Sequence, residues 1–309
     1  MVTGREPQLP IGDARSGYEP QLGGERRIRL KKHILSDLNR GRWVPAKELE
    51  RVVRLIPEDE KRRYAEALLV RLEKAGPMAR PSFWQRLFRR PRDERLNLID
   101  SLGVLGDPIA TPALRARLTD PELRSRAIVA LGRLRVADAV DPLIHMVRNQ
   151  RLNVPDRHRA VEGLGLIAHP DATETLLHVL DGPEPDVVKR SAILSLGKIC
   201  GAARREGREV DLRVVERLCE VVHTRSDDYR YRKTAVRALA YSEDPRAVVT
   251  LMDCLHDRSK AVRYSAARGL AWIGDAAAIP ALTIASATDP DRRVREAALQ
   301  AIQRLQKPT

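Results

Sequence analysis

Asp141 and His145, Glu174 and His178, and Glu216 and Glu220 are three pairs spaced four residues apart. On a helix, residues at i and i+4 share a face, so each pair would present its polar groups together. Asp253 falls at the same place in a further segment. Carboxylate and imidazole groups of this kind suit two chemistries. Asp141, His145, Glu174 and His178 are candidate ligands for a divalent metal such as zinc or iron. The whole set, with Glu216, Glu220 and Asp253, is a candidate surface for accepting basic groups from a protein partner, and a solvated helix face is the third reading. No phosphate-binding loop, dinucleotide fingerprint, HExxH, CxxC or GxSxG motif accompanies them, and the residues call for no cofactor. Whether the chain is an enzyme stays open, with the balance toward a non-enzymatic role. Cys200, Cys219 and Cys254 sit at core-like helical positions, as small apolar residues do.

A repeat must position these groups. NLIDSLGVLGDP (97–108), RAIVALGRLRVA (126–137), RAVEGLGLIAHP (159–170), SAILSLGKICGA (191–202), TAVRALAYSEDP (234–245) and SAARGLAWIGDA (265–276) share one pattern, and EAALQAIQRLQ (296–306) closes the chain. The marker residues Leu102, Leu131, Leu164, Leu196, Leu239, Leu270 and Ile302 recur at a period of roughly 31 residues, with one longer step of 43 between Leu196 and Leu239. Each unit reads as two helices. Val262, Ala266, Leu270 and Ile273 form the apolar stripe of a first helix, a break such as Gly274-Asp275 follows, and pairs such as Leu143/Val147 and Leu251/Leu255 mark the second. One such hairpin cannot bury both faces, so neighbours must stack into a continuous core. The long step predicts a charged loop over Gly201–Asp211. Arg95, Arg124, Arg157, Lys189, Arg232, Arg263 and Arg295 recur in step with acidic turns, which predicts a ladder of internal ion pairs rather than a stripe for a polyanion.

The 309 residues carry 56 Lys+Arg against 42 Asp+Glu, a formal net charge of +14, with 43% hydrophobic and only 4% aromatic residues. That composition excludes a disordered polyelectrolyte and leans away from β-sandwiches and barrels. Residues 1–92 hold 22 basic and 12 acidic side chains; residues 93–309 hold 34 and 30. The basic excess therefore belongs to the first third. With no apolar run of about 20 residues and no hydrophobic signal core, a cytoplasmic protein is expected.

The Asp-turn, Val-Arg-x-x-Ala-Ala-x-x-Leu-(Gly/Ala), Gly-Asp, Pro-Ala-Leu pattern, clearest in DRSKAVRYSAARGLAWIGDAAAIPALTIA (257–285) and DPDRRVREAALQAI (289–302), resembles short HEAT-like repeats of the phycobilin-lyase type. The resemblance covers residues 93–309. It implies an all-α fold, an α-α superhelix (solenoid) of about six to seven HEAT-like helical hairpins. It also implies that second helices line the concave, binding face. That places Asp141, His145, Glu174, His178, Glu216, Glu220 and Asp253 in a groove. The implied roles are a protein-binding scaffold or assembly factor, or a bilin-lyase-like chromophore assembly factor. Di-iron HEAT-like hydroxylases carry repeated His-Glu dyads at the start of first helices. Here Arg157-His158-Arg159 has the His without the Glu, so that chemistry is not implied.

Three organisational parts are expected: a disordered tail (1–24), a basic N-terminal helical cap (25–92) and the solenoid (93–309). The cap reads as helices over 26–38, 45–56 and 58–74. Residues 80–92 gather both Phe of the protein, a Trp and five Arg. Phe83, Trp84, Leu87 and Phe88 on one face, edged by Arg86, Arg89 and Arg90, form a candidate interfacial or docking helix. Through residues 25–92 the chain has an alternative class of partner, a nucleic acid or an anionic membrane surface.

Overall fold

A computed structural model describes residues 32–34, 36–37, 46–75, 93–223 and 228–306. The aromatic–arginine segment over 80–92, the tail over 1–24 and most of the helix expected over 26–38 lie outside the described residues. Among the described residues every regular element is helical, as the repeat predicts. After helical residues at 32–34 and 36–37, two helices precede the repeats, α1 (Ala46–Val52) and α2 (Glu58–Lys74). Leu49, Val52, Tyr64, Leu68 and Leu72 are buried, and both helices pack against the first repeat helix, α3 (Glu94–Leu105). The stack therefore does not expose its first apolar face to water there.

First and second helices then alternate. The first unit pairs α3 with α4 (Thr111–Ala116), the second α5 (Arg124–Leu134) with α6 (Val140–Arg148), and the third α7 (Val154–Ile167) with α8 (Thr173–Asp181). The fourth pairs α9 (Asp186–Arg205) with α10 (Leu212–His223), the fifth α11 (Tyr229–Ser242) with α12 (Ala247–Asp253), and the sixth α13 (Lys260–Ile273) with α14 (Ile279–Thr288). α15 (Arg292–Leu305) packs on after them as a further first helix. The marker leucines and the paired second-helix residues are all buried, in one continuous core that runs from Ile34 to Ala301.

First helices lie side by side along the array, α9 against α7 and α11, α13 against α11 and α15. The small residue after the marker makes this approach feasible. An added Cβ at Gly197 would stand 2.3 Å from the Ala238 carbonyl oxygen. The extra residues of the long fourth unit do not all form a loop. α9 continues through Arg205, so Gly201, Ala202 and Ala203 are buried helical residues, Gly201 against α11, and the loop shrinks to 206–211. Close packing on the Tyr241 backbone outweighs the glycine's weak helix propensity.

First helices end in left-handed residues. Gly106 and Gly274 take φ of 77° and 86°, as their sequence position predicts, while Arg135, Ala168 and Glu243 take the same role in other units. Gly274 has open space around its missing Cβ. Gly274→Ala is therefore expected to cost about 1 kcal/mol from backbone strain alone. A chemical-denaturation midpoint equal to wild type would show that the turn relaxes.

Candidate functional site

All seven residues of the predicted stripe, Asp141, His145, Glu174, His178, Glu216, Glu220 and Asp253, are exposed on second helices. Their neighbours at the same outward register, Pro112, Ala116, Val249, Pro280 and Ile284, are exposed too. The core residues fix this orientation: with Leu143 and Val147 buried, Asp141 and His145 point to solvent, and the same holds for Leu176 against Glu174 and His178.

The stripe is less acidic than its composition suggests. Glu174 lies 3.5 Å from His178 on its own helix and 3.5 Å from the Arg213 guanidinium of the next unit. Arg217 joins Asp181 at 2.8 Å to Glu220 at 2.9 Å. α10 thus brings two arginines onto the face, which one-helix spacing arguments do not register. The Arg213 guanidinium is held above its ordinary value, first by its hydrogen bond to Asp211 and further by the Asp211 and Glu174 charges. Such exposed pairs orient side chains more than they stabilise the fold. Among the described residues no group of three or more His, Cys, Asp or Glu lies close enough together to hold a metal ion. The carboxylate–imidazole pairs sit on separate helices and do not converge.

The basic ladder lies elsewhere and is internal. Arg95 binds Asp93 at 2.8 Å and Glu122 at 3.0 Å, Arg124 binds Asp156 at 2.6 Å, Arg157 binds Glu184 at 3.0 Å, and Arg232 and Arg263 bind Asp257 and Asp289 at 2.7 Å each. Each arginine reaches the start of the next first helix: Glu122, Glu184, Asp257 and Asp289 lie in the turn before it, and Asp156 in its first turn. Several also donate to carbonyls at the end of the preceding second helix, Arg124 to Leu118 and Arg263 to Asp257. Arg295 donates to the carbonyls of Asp289 and Pro290. The fourth unit departs from the pattern. Its cation toward the next turn is Arg190, 3.7 Å from Asp228 and 5.8 Å from the Tyr231 ring centroid. Tyr231 in turn donates its hydroxyl to Asp186 at 2.9 Å.

Burial pushes the Cys200 and Cys254 thiols up to about 12, so neither is a nucleophile near neutral pH. Cys219 is half-buried and its thiol is also raised, first by burial. Among the described residues no helix is long and apolar enough to cross a membrane.

The array's likeness to known proteins agrees with its geometry. HEAT repeats match residues 81–154 and 215–303, and the PBS lyase HEAT-like repeat matches 156–182. No curated protein matches the sequence. Among solved structures, the complex of CpcE and CpcF of phycocyanin lyase from a Nostoc species is 19% identical, with 97% of this chain and 100% of that one covered at a TM-score of 0.46. Human deoxyhypusine hydroxylase in complex with glycerol is 23% identical over 79% and 96% of the two chains, at 0.39. An engineered protein is 20% identical over 84% and 73%, at 0.44. With its stacked helical hairpins, left-handed breaks and Asp–Arg ladder, the chain belongs to the HEAT-repeat proteins.

Proposed function

We propose that the chain is a non-enzymatic scaffold or assembly factor that captures a protein partner on its second-helix face. One observation carries this reading. Val249 and Ile284, at 63% and 57% exposure, are the two most exposed of the large apolar side chains that stand out on the described surface, and both belong to this face. Scattered exposed apolar residues are ordinary. Here α12 and α14 place them at the same outward register, beside Pro280 and next to the carboxylates of α6, α8 and α10. An apolar patch adjoining charged groups is the form of a protein-binding surface.

The partner has matching chemistry: an apolar anchor for Val249 and Ile284, and basic groups for Asp141, Glu216 and Asp253. The anchor supplies affinity by leaving water, at about 25 cal/mol per Å² of apolar area. The charges set orientation and association rate. Val249→Glu/Ile284→Glu is expected to reduce partner capture at least about tenfold. Charge reversal at Glu174 and Glu216 should weaken it further at moderate salt. All of these positions are exposed, so each variant should melt within a few degrees of wild type. The measurement is affinity purification from the native cell with quantitative mass spectrometry, wild type against each variant. An identical capture profile for all of them would refute the reading.

A further inference from the structure

A cleft of about 580 Å³ lies between the first two units. Pro108 and Pro112 form one apolar wall, and Val136 and Ala137, from the turn before α6, form the other. Pro112 also belongs to the outward register of the second-helix face, so the cleft sits at the first-unit end of that face. Three polar residues, Thr111, Arg115 and Asp138, line it as well. Apolar walls with a few placed polar groups are the usual form of a ligand site, and the size is within the usual range.

The three polar side chains have no partners among the described residues. Thr111 is 7% exposed, and its hydroxyl oxygen is buried without a hydrogen bond. A hydroxyl so placed costs free energy until an acceptor reaches it. Helical threonine has two open χ1 rotamers, so the hydroxyl can turn to the cleft that the residue lines. Arg115 and Asp138 are exposed at the rim, and they pair neither with each other nor with any other described group. Arg213 and Arg217 on α10 are unlike Arg115, since neighbouring carboxylates hold both.

The charge at this end differs from that of the rest of the face. α4 and the single turn after it carry Arg115 and Arg117 and no carboxylate. α6, α8, α10 and α12 carry six, from Asp141 to Asp253. A segment lying along the face therefore meets positive charge at the first unit and mostly negative charge beyond it.

We propose that the cleft captures the free carboxyl terminus of the protein partner, with an apolar last residue and basic residues before it. This rests on the reading of the second-helix face as the partner-binding one, and it names what occupies the first-unit end. The terminal carboxylate takes the Arg115 guanidinium and the Thr111 hydroxyl. The last side chain lies among Pro108, Pro112 and Val136, and its amide N–H donates to Asp138. A carboxylate alone would leave Asp138 facing a like charge, whereas a chain end carries acid and N–H donor on one residue. A free amino acid has the same two groups but lacks the basic residues that the rest of the face accepts.

The test is fluorescence anisotropy of the full chain with a labelled peptide ending Lys-Gly-Lys-Ala-Val-Leu, as the free acid and as the C-terminal amide. The free acid should bind about tenfold tighter, and Arg115→Gln should make the two forms equal. Thr111→Val should weaken the free acid alone, by about threefold, without lowering the melting temperature, because the hydroxyl has no partner to lose. Arg115 is exposed, so its variant keeps the test decisive whatever Thr111→Val does to stability. Val249→Glu/Ile284→Glu should leave the acid-to-amide ratio unchanged. Equal binding of acid and amide to the wild type would overturn the inference, as would an acid preference that survives Arg115→Gln. Displacement by free leucine at the peptide's own concentration would overturn it in favour of an amino-acid site. Equal binding of an amide ending in aspartate would do so in favour of a side-chain carboxylate. Any of these results, with partner capture still dependent on Val249 and Ile284, refutes the inference and leaves the partner-binding face standing.

Discussion

Gly197→Ala is expected to destabilise the protein by about 2 kcal/mol, although alanine is the better helix former. In an open helix the exchange would gain up to about 1 kcal/mol. Here the new Cβ would stand 2.3 Å from the Ala238 carbonyl oxygen and 2.7 Å from the Ala238 Cα. Both atoms are backbone, so no side chain can swing aside and α9 must move away from α11. Forcing a methyl into such a contact costs about 1–3 kcal/mol, and the rigid obstacle puts this site at the upper end. Because each repeat touches only its neighbours, the damage concentrates at one interface and should reduce the cooperativity of unfolding as well as its midpoint. Chemical denaturation measures both. A variant as stable as wild type, or more so, would show that α9 and α11 are not in backbone contact at this point. Gly274→Ala makes the comparison sharp, since it has strain without a clash.

The contrast between these two glycines also shows which features the sequence makes legible. The Leu-Gly markers, the second-helix pairs and the left-handed Gly106 and Gly274 follow from period and residue type, because each depends on neighbours a few positions away. Arg135, Ala168 and Glu243 take the same left-handed conformation with no signal in their residue type; the stacked units impose it. The extension of α9 through Arg205 was hidden for a related reason. Gly201 has poor helix propensity, and only its fit against Tyr241 makes it helical.

The candidate site follows the same division. Exposure of Asp141, His145, Glu174 and His178 follows from the buried positions between them. Neutralisation of Glu174 by Arg213 and of Asp181 by Arg217 does not, because those partners are 39 and 36 residues away, across the lengthened unit. Net charge misleads in a similar way. Residues 93–309 are nearly balanced in total, yet the balance conceals a basic first-helix layer and an acidic second-helix layer. A charge count averages the two faces of a solenoid that no single partner contacts together.

Asp289→Ala is expected to cost about 3–5 kcal/mol, the usual penalty for removing one member of a buried ion pair. Both carboxylate oxygens of Asp289 accept from Arg263, at 2.7 and 3.0 Å, and one also accepts the Asp291 amide at 2.8 Å. The side chains are only 4% and 11% exposed. Without Asp289, Arg263 retains the Asp257 and Arg258 carbonyls but no carboxylate at the same distance. Replacing both partners by apolar residues of similar volume, Arg263→Met/Asp289→Leu, should recover most of the loss, because no buried charge then lacks its partner. Burial raises the Asp289 carboxyl, but Arg263 and the Asp291 amide outweigh it, and the group ends below its ordinary 3.8. Asp257 is shifted the same way against Arg232 and the Ser259 amide. Folded values below the unfolded one mean that both carboxylates contribute fully above the ordinary carboxylate range. The contribution is then lost as pH falls below about 4, through the folded values. Wild-type stability should therefore drop on acidification below about pH 4, and the double apolar variant should drop less steeply. Parallel acid-unfolding curves for the two proteins would show that the Asp–Arg ladder is not what acid titrates.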